Sequence, residues 1–427
     1  MEYSKHHMNR YRIHFVQTDK FKTINVKINF KRKVEKDEIT IRRFLSSILL
    51  NSSSKFKSER ELNIEVENLY NIGIQSNVSR SGKYSILSFS MNLLNEKYTE
   101  EGMLQKSFDF LKELLFYPNI ENKQFTQDSF DFIKQSIKEE IDSFKDNPNR
   151  YSKHRLFEET SPESILSYPY SGTLEQLENI TPENLYEYYQ SVIEEDMLDI
   201  FIIGDVEEEK IKSVIENMIP FYERNIETER HDLRGIENRE EEKIVTEEGN
   251  YNQSNLAISL NLSPLTDFEK QYVLQIFNFI FGGGSESKLF QIVREKNSLC
   301  YSIGASSMLL DHLVIVTAGI DSKSFSKATE LIKQCLEDMK EGKFNEEDIE
   351  KAKTTYINGC QQILDSPISI LNNFISKEYL NLDLVEEKMK QIQKVDKEML
   401  INLGQKIRIH TIYLLKGGNE NEEDTSN

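Results

Sequence analysis

The sequence has few of the residues that mark special structural classes. It contains no tryptophan, three cysteines, eight prolines and 17 glycines in 427 residues. Scarce glycine and proline exclude collagen-like and low-complexity chains. Cys300, Cys335 and Cys360 are odd in number, lie far apart and form no CxxC pair, which argues against a disulfide framework and against a structural zinc site. We expect small buried thiols in a reducing compartment.

Long apolar runs are also missing. The first 30 residues are polar and charged, and the chain has no apolar run of the roughly 18 residues that a membrane helix needs. The sequence therefore predicts no signal peptide and no membrane partner, and we expect a cytoplasmic location. A formal net charge of −19 opposes nucleic-acid binding, which needs a basic surface.

Enough apolar residues remain, at 38 % of the chain, to build real cores. The length predicts two to three domains at about 150 residues each. In the first half the pattern predicts strands and helices in mixed order. The strands are Tyr11–Thr18, Thr23–Arg32, Ile74–Ser79, Tyr84–Asn92 and Leu198–Ile203; the helices are Asp37–Ser53, Glu59–Asn71, Met103–Leu115, Thr126–Ser143, Asn184–Val192 and Glu207–Met218.

The second half repeats this order, which indicates an internal duplication. Its predicted strands are Asn255–Leu262, Ser302–Ser307, Leu313–Ile320 and Thr411–Leu415, and its predicted helices are Phe268–Phe281, Ser324–Glu341, Asn345–Leu364 and Met399–Ile407. The expected fold class is α+β, with two homologous αβ half-units in which a mixed or antiparallel sheet packs on helices.

The predicted boundaries are an N-terminal half at 1–222, a charged linker at 223–248 and a C-terminal half at 249–427. We predict a linker because residues 223–248 carry mixed charges, as in the run from Arg239 to Lys243, and their apolar residues show almost no helical or strand periodicity. We expect disorder at Met1–Asn9 and in an acidic tail at about 417–427.

The segment from Phe281 to Tyr301 carries the strongest chemical pattern. Gly282, Gly283 and Gly284 follow an apolar helix, and three glycines allow positive φ and close approach of another chain. Arg294 and Tyr301 follow seven residues apart, and such donors can bind a peptide carbonyl and stabilise an oxyanion. The residues alone also fit a simple loop, a surface charge and a strand tyrosine.

This segment resembles the second-half signature of the pitrilysin/insulinase family, which includes mitochondrial processing peptidase. The matching runs are Lys288–Phe290, Arg294–Lys296 and Leu299–Ser302. The loop Tyr168–Thr173 is similar to the family's His-Pro-Tyr…Gly-Thr loop, with Tyr168 in the place of the histidine. The resemblance covers about residues 10 to 415 and implies a two-halved clamshell. It also implies that the arginine and tyrosine at 294 and 301 reach the active site carried by the other half.

Active members of that family carry His-x-x-Glu-His on a first-half helix, where two histidines bind zinc and the glutamate activates a water. Here Arg43 takes the place of the first histidine, Ser46 that of the glutamate and Ser47 that of the second histidine. An arginine repels a cation, and serine is neither a usual zinc ligand nor an adequate base. The family spacing places the third ligand at Glu140, with Glu139 as the alternative. We therefore expect no metal on this chain.

The chain lacks the residues that would bind zinc but has the arginine and the tyrosine. This combination fits a complementary subunit of a two-subunit peptidase. The resemblance implies a non-catalytic subunit of a heterodimeric zinc metallopeptidase, with zinc on a homologous partner and a peptide as substrate. Arg294 and Tyr301 would act in the partner's site, and Gly282–Gly284 would contact the peptide. No activity is expected from the chain alone. The alternatives are a silent structural protein of the same fold and a peptide-binding homodimer.

Overall fold

Two αβ units account for the part of the chain that the structure describes. The computed structural model describes residues 1–8, 10–169, 171–219, 239 and 241–417. Unit 1 comprises Met1–Asp142, Pro169–His231 and Leu364–Leu380, and unit 2 comprises Ser143–Tyr168, Asp232–Ile363 and Asn381–Asn427. Each unit has its own sheet and its own buried apolar cluster. The predicted α+β class with two sheet-and-helix units is therefore confirmed.

The strands of the described residues are labelled β1 to β13 in chain order. They are Glu2–His7, Arg12–Gln17, Thr23–Lys33, Gly73–Ser81, Tyr84–Leu94, Ile120–Glu121, Gln124–Phe125, Met197–Gly204, Lys243–Glu248, Ser254–Leu262, Cys300–Met308, Leu313–Ile320 and Ile407–Lys416. Most of them coincide within a few residues with strands that the alternation of apolar and polar residues predicts.

The α-helices are labelled α1 to α14 in the same way. They are Ile39–Ile48, Glu59–Asn68, Met103–Phe116, Gln127–Asp142, Pro148–Thr160, Leu174–Glu178, Pro182–Glu195, Glu208–Met218, Leu274–Gly282, Phe325–Lys340, Glu346–Ile363, Pro367–Leu380, Val385–Gln391 and Lys397–Gln405. Two π-helical segments, Glu269–Val273 and Phe290–Lys296, flank α9. Such segments are rare and occur frequently at functional sites.

The two sheets share one topology. Unit 1 has the strand order β1-β2-β8-β3-β5-β4, and unit 2 has the order β11-β12-β10-β13-β9. Read from its β9 edge, the unit 2 order is β9-β13-β10-β12-β11. It matches the unit 1 order β2-β8-β3-β5-β4 strand for strand. The pairs β2–β8 and β13–β9 are parallel, whereas the pairs that continue each sheet are antiparallel. The structure thus contains the duplication that the repeated element order predicts.

Each unit includes a helix from the other half of the sequence. Helix α5 packs on β10 and β13 in unit 2, where Leu156 joins a buried cluster with Ala257 and Tyr413. Helix α12 packs on β8 in unit 1. The two units therefore differ from the predicted contiguous halves, because these two segments are exchanged. Neither helix was predicted from the sequence.

Polar side chains fix α12 on the sheet of unit 1. The buried carboxylate of Asp199 on β8 accepts hydrogen bonds from Tyr379 at 2.9 Å and from Arg12 at 2.6 Å. His14 lies 3.4 Å from the same carboxylate and stacks on Phe201. The Arg12 and His14 hydrogen bonds hold the pKa of Asp199 well below its usual range, although burial opposes that shift.

The predicted linker needs a correction at its C-terminal end. Residues 223–238 and 240 lie outside the described residues, but Lys243–Glu248 forms strand β9 and pairs with β13. The repeat explains this strand, since β9 occupies the position in unit 2 that β2 occupies in unit 1. Its side chains alternate between half-buried and exposed, as expected for an edge strand. Of the predicted tail, Gly417 is buried and hydrogen-bonded to Ser254, and residues 418–427 are not described.

The prediction of disorder at Met1–Asn9 was wrong for the described residues. Glu2–His7 forms strand β1, which pairs antiparallel with β2. Tyr3 and Lys5 both reach Glu378 on α12, with contacts of 2.6 Å. A polar segment is ordered here because its backbone and side-chain partners come from distant parts of the chain. No helix in the described ranges is long and apolar enough to span a membrane.

Candidate functional site

Helix α1 brings the residues of the altered metal motif together. Its apolar side chains Phe44, Leu45 and Ile48 are fully buried in the core of unit 1. Residues three and four positions apart on a helix are neighbours, so Ser46 and Ser47 lie next to Arg43. Helix α4, which carries Glu140, packs against α1.

The guanidinium of Arg43 is the centre of this arrangement. Its Nη1 donates to the Ser46 hydroxyl at 3.1 Å and to the Ser47 hydroxyl at 2.7 Å. Its Nη2 donates to Glu140 Oε2 at 3.1 Å, and the Arg43 and Glu140 side chains are each 28 % exposed. The Ser46 hydroxyl in turn donates to the carbonyl of Arg43 at 2.7 Å. The four residues thus form one hydrogen-bonded cluster, which we call the arginine cluster.

The structure selects Glu140 over Glu139 as the acid of this cluster. Glu139 is exposed and accepts a hydrogen bond from Gln135 at 2.7 Å. The second oxygen of Glu140 accepts a hydrogen bond from Ser171 at 2.8 Å. Ser171 was not expected as a partner, although it belongs to the loop that resembles the family's His-Pro-Tyr segment.

That loop is held against the start of α1. The amide of Thr173 donates to the Thr40 hydroxyl at 3.1 Å. Gly172 has φ +82°, and a Cβ there would fall 1.9 Å from Thr40 Oγ1, so only glycine fits. Tyr170, in the middle of the loop, is outside the described residues. The close approach at Gly172 explains how Ser171 reaches Glu140.

The residues of the arginine cluster do not fit a zinc ion. Zinc sites need deprotonated nitrogen, sulfur or carboxylate ligands, and this cluster offers one carboxylate and a permanent cation. Charge-assisted hydrogen bonds to the guanidinium already engage Glu140. No group of three or more metal-ligating side chains occurs within the described ranges. The arginine supplies the positive charge that a metal would otherwise bring to Glu140.

The three glycines of unit 2 have different surroundings. A Cβ on Gly282, at the end of α9, would lie 2.7 Å from the Ala305 Cβ and 2.8 Å from the Leu289 Cδ1. On Gly283 it would lie 2.8 Å from the Phe279 Cα, whereas on Gly284 it would meet nothing within 4 Å. None of the three has positive φ. The prediction that these glycines are needed for positive φ was therefore wrong. Close packing requires glycine at position 282.

Arg294 lies on the π-helical segment Phe290–Lys296. Its guanidinium is 4.5 Å from the centroid of the Phe290 ring, and its Nε is 3.7 Å from the carboxylate of the adjacent Glu295. The side chain is 41 % exposed. The face of the ring attracts the cation, and the side chain remains partly accessible to solvent.

Tyr301 is the second residue of the edge strand β11 and is 81 % exposed. The ladder with β12 pairs Cys300 with Ile320 and then Ser302 with Gly319, so Tyr301 is the extra residue of a β-bulge. Bulges redirect a side chain and are over-represented beside active sites. The neighbouring Cys300 thiol is buried, which raises its pKa to about 11 against the opposing charge of Arg294. That charge therefore lies close to the start of β11.

Exposed hydrogen-bond donors of this kind can bind a carbonyl or an oxyanion. The guanidinium remains charged at any working pH, and the phenol can donate one hydrogen bond. Neither side chain is a nucleophile or a metal ligand in this setting. Side chains of these two types are therefore suited to hydrogen bonding, and the arginine also to binding a negative charge.

Comparison with known proteins identifies relatives of the whole chain. The sequence profile described as Peptidase M16 inactive domain matches residues 179–356. The Probable inactive metalloprotease YmfF of Bacillus subtilis (strain 168) is 31 % identical over 408 residues, which are 95 % of each chain. A conserved protein from Enterococcus faecalis V583 has a crystal structure that covers 98 % of this chain and 100 % of its own, with a TM-score of 0.92 and 28 % identity. The structure of a peptidase M16 inactive domain from Pseudomonas fluorescens, at 14 % identity, has a TM-score of 0.79 with 99 % and 100 % coverage and supports the fold.

The fold and the relatives define a metallopeptidase-like protein. The similarity to YmfF extends over nearly the whole of both chains. The chain belongs to the peptidase M16 family, the pitrilysin/insulinase family that the sequence motifs indicate, and it is an inactive member.

Proposed function

We propose that this protein is the non-catalytic subunit of a heterodimeric zinc peptidase. It would place Arg294 and Tyr301 in the active site of a homologous, zinc-bearing partner. The observation that carries the proposal is the exposure of Tyr301, 81 % for a large aromatic side chain at a β-bulge, together with the half-exposed Arg294. A purely structural role gives no reason to leave a large aromatic side chain such as Tyr301 this exposed.

The arginine cluster supports the non-catalytic part of the proposal. A zinc peptidase needs an open metal position and a carboxylate base next to it. Here Ser46 replaces the base, and the cation of Arg43 lies against Glu140. The chain's own residues therefore leave catalysis of hydrolysis to another subunit.

Arg294 and Tyr301 would supply hydrogen bonds to the oxyanion that forms when a peptide carbonyl is attacked. Removal of one such donor typically costs about 2.7–4 kcal/mol of barrier lowering. Of the glycines Gly282–Gly284, Gly282 ends α9, and Gly283 and Gly284 connect it to the segment that carries Arg294; a bound peptide backbone could approach closely at Gly284, which faces open space. Strand β11 is a sheet edge, and an extended peptide can add to such an edge through main-chain hydrogen bonds.

The test is co-expression with a paralogue from the same genome that carries an intact His-x-x-Glu-His motif. The isolated protein should bind no stoichiometric zinc and cleave no peptide from an unfolded-peptide mixture. In the complex, Arg294→Ala and Tyr301→Phe should each reduce kcat by about 100- to 1,000-fold. Zinc content and complex assembly, measured by light scattering, should not change.

Matched controls come from exposed residues of the same chemistry. Lys296 is an exposed cation on the segment of Arg294, and Tyr98 is 53 % exposed in unit 1. Lys296→Ala and Tyr98→Phe should leave turnover within about twofold. Normal turnover in both site variants would contradict the assignment. A stable homodimer that does not assemble with the paralogue would favour the peptide-binding alternative.

A further inference from the structure

An open cavity of about 580 Å³ lies in unit 1, away from the arginine cluster. The final turns of three helices form its walls: Phe116 at the end of α3, Ile193 and Glu194 at the end of α7, and Met218 at the end of α8. Its residues belong neither to the altered metal motif nor to the segment of Arg294. The cavity therefore requires its own explanation.

The three helix ends give the cavity a negative potential. The last carbonyls of a helix lack intrahelical partners and carry about half a negative charge in total. Basic residues usually lie in the last turn, where they offset that charge, but α3, α7 and α8 have none there. The exposed carboxylate of Glu194 adds a full charge at the rim. An anionic ligand such as a phosphate would be repelled from this position.

The chain itself shows that a cation is accommodated at this place. Lys112, from an earlier turn of α3, lies at the cavity wall and donates to the carbonyl of Asn217 at 2.7 Å. It thereby satisfies one carbonyl at the end of α8, and at the end of α3 the Leu115 carbonyl accepts a hydrogen bond from Tyr189. The ammonium of Lys112 thus shows that a positive charge is favoured in the cavity. The same charge also weakens the attraction of the cavity for a further cation.

Aromatic rings supply the second element of a cation site. The wall includes Phe116, Tyr117, Tyr186 and Tyr189. The centroids of the Tyr186 and Tyr189 rings are 6.4 Å apart, and Tyr189 is fixed by a hydrogen bond to the Leu115 carbonyl at 3.0 Å. Tyr117 is 49 % exposed at the entrance. Ring faces attract guanidinium and ammonium groups by about 0.5–2 kcal/mol each, depending on desolvation.

We propose that this cavity binds an organic cation, specifically the guanidinium group of an arginine side chain. The planar guanidinium can stack on a tyrosine face and donate to helix-end carbonyls at the same time. A cavity of this size holds one such side chain with its neighbouring backbone. The inference is independent of the proposed subunit role, because it uses different residues of a different unit.

The test uses N-acetylarginine methylamide and its neutral isostere, N-acetylcitrulline methylamide, with the full-length chain. Ligand-detected NMR titration measures weak affinities directly. We expect the arginine compound to bind at least about threefold more tightly than the citrulline compound, which corresponds to one modest cation–π contact. Equal affinity for the two compounds, or binding of neither, would overturn the proposal.

Variants locate the binding in the cavity. Tyr186→Leu should weaken binding of the arginine compound by about 3- to 30-fold, whereas Tyr186→Phe keeps the ring and should bind within about twofold of the parent chain. Glu194→Gln should weaken binding by about two- to fivefold, and Lys112→Gln should strengthen it by a similar factor because a like charge is removed. Glu187→Gln, an exposed acid elsewhere on α7, is the matched control.

These outcomes remain informative if one variant is unstable. Tyr186→Phe and Glu194→Gln change few atoms, and circular dichroism checks that each variant is folded. A loss of affinity in Glu187→Gln as large as that in Glu194→Gln would show a general effect of net charge and would refute the assigned position.

Discussion

Arg43 and Glu140 form an ion pair between α1 and α4, with Nη2 3.1 Å from Oε2. The resemblance of the sequence motifs places these two residues at the positions of two zinc ligands. Here a side-chain cation and a carboxylate bind each other directly, and Ser47 and Ser171 complete the hydrogen bonds at either end. Charge and hydrogen bonding therefore hold these four side chains together across α1, α4 and the loop of Ser171.

The first prediction concerns the stability that this pair contributes. Arg43→Ala should lower the free energy of unfolding by about 1–2 kcal/mol, because it leaves Glu140 without its charged donor in a partly buried position. Urea denaturation followed by circular dichroism measures the change. Arg43→Lys, which keeps the charge but loses the forked geometry, should recover part of it. An unchanged midpoint in Arg43→Ala would show that the pair contributes nothing.

A second prediction is that the metal site can be rebuilt. The triple variant Arg43→His, Ser46→Glu, Ser47→His recreates His-x-x-Glu-His on α1, four residues apart on one helix face, with Glu140 in reach of the first position. We expect close to one equivalent of zinc per chain by elemental analysis. Adding Glu140→Gln should remove most of that zinc. If Glu139→Gln removed it instead, the assignment of the acid would be wrong.

The third prediction separates the glycines by their packing. Gly282→Ala should destabilise unit 2 by about 1–3 kcal/mol, since the new methyl group would overlap Ala305 and Leu289. Gly284→Ala is the matched control and should be neutral or slightly stabilising, because its Cβ enters open space and the unfolded chain loses entropy. Thermal unfolding of the two variants provides the comparison. Equal effects would contradict the packing explanation.

The fourth prediction is a pH dependence that arises from His14. Burial lowers the pKa of His14 below its ordinary 6.5, although Asp199 opposes this shift. The folded state therefore keeps the ring neutral while the unfolded chain takes up a proton, so the stability contributed by His14 is present above pH 6.5 and is lost as the pH falls. The loss therefore grows as the pH falls from 7 to 5.

The measurement is the difference in unfolding free energy between the parent chain and His14→Gln at several pH values. That difference should shrink as the pH falls from 7 to 5, because the variant has no ring to protonate. Tyr3, Arg12, Lys5, Glu378 and Asp199 also face this position and stay unchanged in both proteins. A difference that does not vary with pH would contradict the prediction.

Local pattern predicted most strands and helices of this fold. The buried strands β3, β8, β10 and β12 alternate or are continuously apolar, and the helices that cover them have apolar faces. Strands β1 and β9 were not predicted, because they are polar edge strands whose pairing partners lie far away in the sequence. Helix α5 was missed because its apolar periodicity is weak and polar contacts such as Tyr151 with Glu247 fix it.

At the site, residue identity predicted the chemistry but not the contacts. The sequence placed Arg43, Ser46 and Ser47 on one helix face, and left Glu139 and Glu140 as alternatives that only the packing of α4 separates. The bulge at Tyr301 depends on the register of β11 against β12. No local pattern specifies that register, because it is set by tertiary pairing.

The exchange of α5 and α12 has a consequence for a divided gene or a proteolysed chain. A break between residues 219 and 239 would leave α5 on the first fragment and the sheet that it covers on the second. Helix α12 would be on the second fragment and the sheet that it covers on the first. Each fragment would expose an apolar surface that only the other can cover. Two separately synthesised pieces should therefore recognise each other as a matched pair, and neither should persist as a monomer.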